Sequence, residues 1–198
     1  MIGGEAVALK IVRWESLTPT PWKNGGGTAV DIAGQPEPMT NEGLDWRVNI
    51  ATIARSGPFS NFPGIDRDFR VLDGGGVELA VEGQPPRLLM ADGPGYRFPG
   101  DRPTYARLLR DDQPCRAFNV LTRRGVFVSE VKEVVIERDE VFRPEVGAFI
   151  VVRSGTLEVE FGADLHRLGL LDAFVTSERV SVHTTDEVEL FLVNVTRV

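Results

Sequence analysis

The chain has 198 residues, of which 42% are hydrophobic and 26% are charged, a balance typical of a folded globular protein. Its 22 basic and 29 acidic side chains give a net charge of −7. This charge argues against a nucleic-acid partner, because such proteins present a basic face to the phosphates.

Charged residues near the N-terminus and a single cysteine bear on cellular location. No apolar run approaches the roughly 18–20 residues that would span a bilayer, so no membrane partner is expected. Glu5, Lys10, Arg13 and Glu15 interrupt the apolar region that a signal peptide would need. Cys115 is the only cysteine, so no intramolecular disulfide is expected. The sequence therefore predicts a cytoplasmic protein.

Apolar and polar residues alternate with a period of two in several stretches, a pattern that predicts β-strands. Clusters of Gly, Pro and Asp separate these stretches, and residues 34–43 are expected to form a flexible loop. The sequence therefore predicts an all-β barrel or sandwich. In chain order the predicted strands are VALKIVRW (7–14), TAVDIA (28–33), WRVNIATIA (46–54), GVELAVEG (76–83), GVFVSEVKEVVIE (125–137), AFIVVRSG (148–155), TLEVEFG (156–162) and VSVHTTDEVELFLVNV (180–195).

Two hairpins resemble one another when one residue is gapped, namely FRVLDGGGVELAVEG (69–83) and FIVVRSGTLEVEFG (149–162). Each consists of a strand, a glycine-containing turn and an alternating strand. Their spacing of about 80 residues indicates two copies of one β-module. We expect one unit over 1–198, with a first module at approximately 1–110 and a second at 111–198. Chance similarity between short hairpins is the alternative.

The hairpin pattern is similar to that of cupin barrels, which often hold a metal ion. A metal-binding cupin places histidines and a carboxylate on adjacent strands. The chain has two histidines, His166 and His183, and neither belongs to an H-x-H pair. Asp66 and Asp68 are equally weak as ligands. The sequence therefore predicts no metal and no cofactor.

The stretch PWKNGGG (21–27) does not fit a phosphate-binding loop. Such a loop has lysine directly after its last glycine and a helix behind it. Here Lys23 precedes the glycines, and a predicted strand follows them. A nucleotide site is therefore not expected.

Cations, amides and aromatic residues concentrate between Trp22 and Arg67, a combination that suits a small anionic ligand. Guanidinium groups bind carboxylates, amides orient them, and rings exclude water. Each residue also has a structural interpretation: Trp22 as core, Arg67 in an ion pair, and Lys23 solvated. The group is Trp22, Lys23, Asn24, Trp46, Arg47, Asn49, Phe59, Ser60, Asn61, Phe62, Asp66 and Arg67.

Three motifs, W-K-N-G-G-G, G-P-F-S-x-F-P-G-x-D-R and F-N-x-x-x-R-R, occur in this order between about position 20 and position 125. With them the chain resembles the HutD/Ves family of bicupin proteins. The resemblance implies two cupin-like β-barrels or sandwiches in one chain, and binding of an intermediate of histidine utilisation such as formylated or formiminated glutamate. The ligand-binding residues it implies are Trp22, Lys23, Asn24, Arg47, Phe59, Ser60, Arg67, Phe118, Asn119 and Arg123.

One position departs from the family pattern. The family tends to have an acidic residue before F-N, whereas this chain has Ala117. Alanine leaves the expected pocket more positive, which favours a more anionic ligand.

Catalysis is left open by the sequence, which favours a binding protein. Cys115 with His183 is one conceivable nucleophile pair, and Lys23 with a lowered pKa is a conceivable base. The leading hypothesis is a metal-free protein that senses or sequesters an anionic metabolite (N-formylglutamate, formiminoglutamate or urocanate) and restrains flux through the pathway. The alternatives are a metal-free isomerase or hydrolase, and a scaffold. A monomer and a homodimer both fit the sequence.

Overall fold

The computed structural model describes residues 9–37 and 43–198, and over these residues the protein is nearly all β. The predicted all-β class is confirmed. One short 3-10 helix spans Trp14–Ser16. The strands are β1 (Leu9–Val12), β2 (Thr20–Pro21), β3 (Gly27–Gln35), β4 (Trp46–Ile53), β5 (Gly57–Pro58), β6 (Ile65–Gly74), β7 (Val77–Val81), β8 (Arg87–Leu89), β9 (Tyr96–Pro99), β10 (Thr104–Leu108), β11 (Cys115–Arg123), β12 (Phe127–Ile136), β13 (Val141–Phe142), β14 (Phe149–Ser154), β15 (Leu157–Phe161), β16 (Asp164–Leu168), β17 (Ala173–Thr176), β18 (Ser181–His183) and β19 (Val188–Arg197).

The described chain divides into two compact units, each with two β-sheets. The first sandwich comprises residues 18–128 and Val198. Its sheets have the strand orders β2-β3-β4-β11-β6-β9 and β5-β10-β7-β8. The second sandwich comprises residues 9–17 and 129–197. Its sheets have the orders β1-β17-β14-β19-β12 and β13-β18-β15-β16.

The two hairpins noted in the sequence occupy equivalent places in the strand order. β6 pairs with β9 and β11, and β14 pairs with β17 and β19. In both cases the partners are the third and fifth strands after it along the chain. β7 pairs with β8 and β10, and β15 pairs with β16 and β18, which are the first and third strands after it in both cases. The pairing order is therefore the same over β6–β11 and over β14–β19, as expected for a repeated module.

The compact units divide at a different point from the boundary near residue 110 that the sequence predicts. β11 lies beyond that residue, yet it pairs with β4 and β6 of the first sandwich. β1 opens the described chain, yet it pairs with β17 of the second sandwich. A boundary inferred from two hairpins could not show either long-range pairing.

Apolar side chains from both sheets form the core of each sandwich, since alternate residues of every strand point inward. The core of the first sandwich contains Ile53, Phe69, Val71, Val77, Leu79, Val81, Leu89, Tyr96, Phe98, Ala106, Leu108, Cys115 and Ala117. The core of the second contains Ile136, Ala148, Ile150, Val152, Leu157, Val159, Leu168, Phe174, Val180, Val182, Val188, Leu190 and Leu192.

Strand boundaries differ from the prediction in three places. The first strand ends at Val12 rather than at Trp14, because the 3-10 helix begins at Trp14. Residues 7 and 8 of its predicted range lie outside the described residues. β3 continues through Gln35, while residues 38–42 of the predicted loop are also outside them. β11 lacks clear alternation because it is buried on both faces, and such strands carry no period-two signal. The described residues include no helix with the length and apolar character that crossing a membrane requires.

Candidate functional site

Polar side chains lie on the interior face of the six-stranded sheet of the first sandwich. Residues opposite one another in antiparallel strands share a face. The register places Arg47 of β4 and Arg67 of β6 on either side of Leu121 of β11. In the adjacent row Asn49 lies opposite Asn119, which lies opposite the core residue Phe69. Arg47, Arg67, Asn49 and Asn119 are all buried, and we call these four residues the polar rows.

Arg67 is buried to the same extent as Arg47, with 7% of its surface exposed, but aromatic rings surround its guanidinium. Its Cζ lies 4.6 Å from the ring centroid of Phe62, 5.3 Å from that of Phe59 and 5.9 Å from that of Phe98. Its Nη2 donates a hydrogen bond to the Ser60 carbonyl oxygen at 2.7 Å. Its buried Nε has no hydrogen-bond partner among the described residues. Desolvation disfavours the charged form and lowers the pKa of Arg67 to about 10.

Arg47 has a carboxylate beside it. Its Nε lies 3.7 Å from Oδ1 of Asp31, a residue of β3. Nδ2 of Asn49 donates a hydrogen bond to the same Oδ1 at 3.3 Å. Asp31 therefore balances the charge of Arg47 and orients Asn49, while the guanidinium of Arg67 is surrounded mainly by aromatic rings.

Asn119 borders a row of small side chains. Its Nδ2 donates to the carbonyl oxygen of Ala117 at 3.5 Å. Ala117 lies opposite Ala51, which lies opposite Ala29. Ala117 is fully buried and belongs to the apolar core. The position at which this chain departs from the family pattern is therefore on the face of the polar rows, two residues from Asn119.

The stretch PWKNGGG forms the hairpin turn between β2 and β3. Trp22 and Gly27 close the turn through a hydrogen bond from the Trp22 amide to the Gly27 carbonyl oxygen, at 2.9 Å. The Asn24 side chain donates to the Pro58 carbonyl oxygen at 3.0 Å and accepts from the Gly26 amide at 2.9 Å. The turn is thereby attached to the chain segment that carries Phe59.

The aromatic walls assigned from the sequence meet at this attachment. Trp22 packs edge-on against Phe59, with ring centroids 6.0 Å apart. Phe59 in turn packs against Phe69 of the core and lies over Arg67. The W-K-N-G-G-G and G-P-F-S motifs therefore work together, since one positions the ring that the other supplies.

The side chains of Lys23 and Ser60 are exposed rather than buried with the polar rows. Lys23 is exposed in the β2–β3 turn. Ser60 is exposed as well, and it meets Arg67 through its backbone carbonyl rather than its hydroxyl. The structure therefore brings Ser60 to the site as a backbone acceptor.

Phe118 lies on the other face of the sheet from the polar rows, and Arg123 lies one row beyond them at the end of β11. Phe118 lies opposite Ile50 and Arg70, so it is on the other face of the sheet from its neighbour Asn119. Alternation along a strand requires this separation, so Phe118 does not share the face of the polar rows. Arg123, at the end of β11, forms an ion pair with Asp45 at 3.0 Å.

Arg123 lines a separate cavity of about 240 Å³, which we call the outer cavity. Phe62 is part of the same lining and is also the ring closest to Arg67. The remaining lining residues are Gly43, Leu44, Asn61, Pro63 and Ile65.

The neighbouring arginine of the F-N-x-x-x-R-R motif is structural. Arg124 donates to Asp66 at 2.8 Å and to Asp101 at 2.9 Å and 3.1 Å. Hydrogen bonding to Arg124 is the main reason that the pKa of the Asp101 carboxyl falls to about 2. This arginine therefore joins β6 to the turn after β9.

Asp31 and Phe98 contact the arginines of the polar rows and were not assigned to the site from the sequence, whereas Phe62 was named among the residues suited to an anion. Phe98 reaches Arg67 because β9 pairs with β6, with Arg67 opposite Phe98. Asp31 reaches Arg47 from β3. A charged residue in the alternating stretch TAVDIA was the available signal for Asp31, because its apolar neighbours place it on a defined face.

The two histidines do not share a site. His166 lies opposite Val159, whereas His183 lies opposite Glu158, so they are on opposite faces of one sheet. Nε2 of His183 lies 3.2 Å from Oε2 of Glu160. Among residues 9–37 and 43–198, no group of three or more His, Cys, Asp and Glu side chains is arranged to hold a metal ion.

We predict that Cys115 is chemically inert in the native protein. Burial raises the pKa of its thiol to about 11, and the thiolate is the reactive form. With Ellman's reagent at pH 8, the native protein should show no thiol release on the time scale in which the urea-unfolded chain reacts completely. Equal rates in the two states would contradict this burial and would return Cys115 to consideration as a nucleophile.

Residues 15–192 match the HutD family. The chain belongs to the HutD family. A curated relative, an uncharacterized 21.2 kDa protein in the hutC 3′ region of Pseudomonas putida, is 32% identical over 168 residues, covering 83% of this chain and 84% of the relative. Protein Ves of Cronobacter sakazakii is 31% identical over 138 residues, covering 70% of this chain and 72% of that protein.

Solved structures agree with membership of the HutD family and with a cupin-like fold. HutD from Pseudomonas fluorescens SBW25, in a formate condition, has a TM-score of 0.77 and 27% identity, covering 96% of this chain and all of that one (100%). A conserved protein of unknown function from Pseudomonas aeruginosa PAO1 has a TM-score of 0.81 and 23% identity, covering 94% and 98%. A cupin 2 conserved barrel domain protein from Leptotrichia buccalis has a TM-score of 0.64 and 10% identity, covering 94% and 96%.

Proposed function

We propose that this HutD-family protein binds a small carboxylate at the polar rows without a metal ion. The observation that supports this most directly is the buried guanidinium of Arg67, whose Nε has no hydrogen-bond partner among the described residues. A buried charge is costly unless it is paired and fully hydrogen-bonded. A bound carboxylate would supply both the opposite charge and the acceptor oxygens.

The composition of the polar rows indicates an anion rather than a cation. Arg47 and Arg67 are cationic, and Asn49 and Asn119 are neutral amides with donor hydrogens. Asp31 is the carboxylate beside Arg47 and is itself engaged by Arg47 and Asn49. Such donors repel a metal cation and suit carboxylate oxygens.

Relatives suggest which carboxylate this is. The Pseudomonas putida relative is named for its place in the hutC 3′ region, and the Pseudomonas fluorescens relative is HutD. We propose an anionic intermediate of histidine breakdown, namely N-formylglutamate, formiminoglutamate or urocanate. By sensing or sequestering this intermediate, the protein would restrain flux through the pathway.

Isothermal titration calorimetry tests the binding. We expect micromolar affinity for at least one of the three intermediates. Formamide, the neutral counterpart of the carboxylate formate, should not bind. Arg47→Ala should weaken binding at least tenfold, roughly the loss of one charge-assisted pair. Lys23→Ala, which removes the exposed lysine that the family resemblance assigns, should also lose binding.

Arg107→Ala is the matched control. Arg107 pairs with Glu78 at the surface of the four-stranded sheet, so its loss should leave the affinity unchanged. Absence of heat with all three intermediates and with formate would overturn the proposal. Conversion of any of them into a new compound by chelator-treated protein would replace the binding function with a metal-free enzyme activity.

A further inference from the structure

Phe62 lies between the buried guanidinium of Arg67 and the outer cavity. Its ring centroid is 4.6 Å from Arg67 Cζ, and its side chain also lines the cavity of about 240 Å³. Phe62 is half-buried and packs against Leu44, Ile65 and Leu121. On the way from the outer cavity to Arg67, a ligand therefore meets this ring.

The backbone at Phe62 is held in place, so movement of the ring must come from its side-chain torsions. The Phe62 amide donates to the Gly100 carbonyl oxygen at 2.9 Å, and the Ile65 amide donates to the Phe62 carbonyl oxygen at 3.2 Å. Pro63 follows directly and restricts the chain further. Rotamer changes of this kind need no backbone rearrangement and are fast.

The outer cavity provides both a place for the displaced ring and a first contact for an anion. Its lining includes the guanidinium of Arg123 and the amide of Asn61. Nε of Arg123 is bound to Asp45, and 38% of the Arg123 side chain is exposed. Arg123 therefore presents positive charge to the cavity that Phe62 also lines.

The contact between the Phe62 ring and Arg67 is weaker than the contact that a carboxylate would make with Arg67. A cation–π contact is worth less than a charge-assisted hydrogen-bonded pair between guanidinium and carboxylate. The ring shields the cation from water. A carboxylate that reaches Arg67 is therefore expected to displace the ring.

We propose that Phe62 is a side-chain gate, and that carboxylates reach Arg67 from the outer cavity by displacing its ring. This inference rests on the proposed carboxylate-binding function and adds the route and the residue that controls it. Arg123 and Asn61 then attract the anion, and the polar rows retain it.

The first test measures access to Arg67 without any carboxylate. The full-length protein is treated with phenylglyoxal, and modification of each arginine is followed by peptide mass spectrometry. Phe62→Ala should raise the modification rate of Arg67 roughly tenfold, as expected when one cation–π contact is removed. The exposed Arg107 should react equally in both proteins. An unchanged rate at Arg67 would overturn the gate.

The second test measures the association rate of N-formylglutamate by stopped-flow tryptophan fluorescence, since Trp22 contacts Phe59 beside Arg67. Phe62→Ala should associate several-fold faster than the wild type. Phe62→Leu, which keeps an apolar side chain against Leu44 and Ile65, should change the rate in the same direction by less. The leucine variant keeps the test valid if the alanine variant folds poorly.

Calorimetry separates failure of the gate from failure of the binding function. If the wild type binds N-formylglutamate and neither Phe62 variant associates faster, the gate is wrong and the binding function stands. If the wild type and both variants bind none of the intermediates and no formate, the binding function fails and the gate fails with it.

Discussion

Replacing Arg67 with methionine should abolish carboxylate binding and raise the free energy of unfolding. Arg67 is buried among Phe59, Phe62 and Phe98, and burial alone lowers its pKa to about 10. A lowering of this size corresponds to a cost of about 3 kcal/mol for keeping the charge in the fold. Apolar replacements of buried charged groups are often stabilising by about 1–4 kcal/mol.

We expect Arg67→Met to stabilise the protein by about 1–3 kcal/mol, because the removed charge is buried and the Ser60 carbonyl that loses its hydrogen bond belongs to an exposed residue that water can reach. Urea denaturation at pH 7 measures this change, and calorimetry measures the loss of binding, which should be at least roughly hundredfold. A variant less stable than the wild type would show that the guanidinium supports the fold rather than a ligand.

Arg116→Met is the matched control on the same sheet. Arg116 lies on the other face and forms an ion pair with Asp73. Its loss should lower stability slightly and leave binding unchanged, which is the opposite pattern to Arg67→Met.

The pH dependence of the free energy of unfolding also tests whether burial lowers the pKa of Arg67. Its folded pKa is below its unfolded pKa, so above about pH 10 the folded state releases a proton that the unfolded state retains. This difference makes stability rise with pH in that window, and the penalty is constant at lower pH. The rise should disappear in Arg67→Met, which subtraction of the two urea-derived profiles would show.

The second large effect is expected for Gly27→Ala, which should destabilise the first sandwich by about 3 kcal/mol. A Cβ at Gly27 would lie 2.1 Å from the carbonyl oxygen of Thr52 and 3.3 Å from Cε3 of Trp22. Thr52 belongs to the paired strand β4, so the clash is with backbone and is relieved only by opening the β3–β4 pairing. The midpoint of urea unfolding measures the loss.

Gly57→Ala is the control for this prediction. Gly57 has open space where its Cβ would lie, and its φ is not in the left-handed region, so alanine there should cost no stability. If Gly27→Ala unfolded at the same urea concentration as Gly57→Ala, the close approach of β3 and β4 at the glycine would be wrong.

The class of the fold was predictable because alternation is visible wherever one strand face is buried and the other is not. β7 and β15 show it clearly, and the similarity of their hairpins revealed the repeated pairing order. β11 was hidden because both of its faces are buried. The pairing of β1 with β17 was also hidden, because strand alternation shows which side chains share a face and not which strand is adjacent.

The candidate site was predictable in its residue types more than in its geometry. Arg47, Arg67 and Asn119 were predicted to bind an anion from their side-chain types, and the register places all three on the interior face of the six-stranded sheet. The period of two already places Phe118 and Asn119 on opposite faces of β11, so their separation could have been predicted. The alternation in TAVDIA could have assigned Asp31 to a face, but its partner Arg47, 3.7 Å away on the neighbouring strand, was visible only in the structure.

The pairing of β1 with β17 has a consequence for the order in which the protein forms during synthesis. Leu9 lies opposite Thr176, so this early strand must wait for almost the whole chain before it has a partner. Residues 18–128 carry both sheets of the first sandwich and leave the ribosome well before β17 does. The first sandwich, with its polar rows, is therefore free to fold while β1 is still an unpaired strand, and an unpaired strand of this kind is the type of surface that chaperones protect.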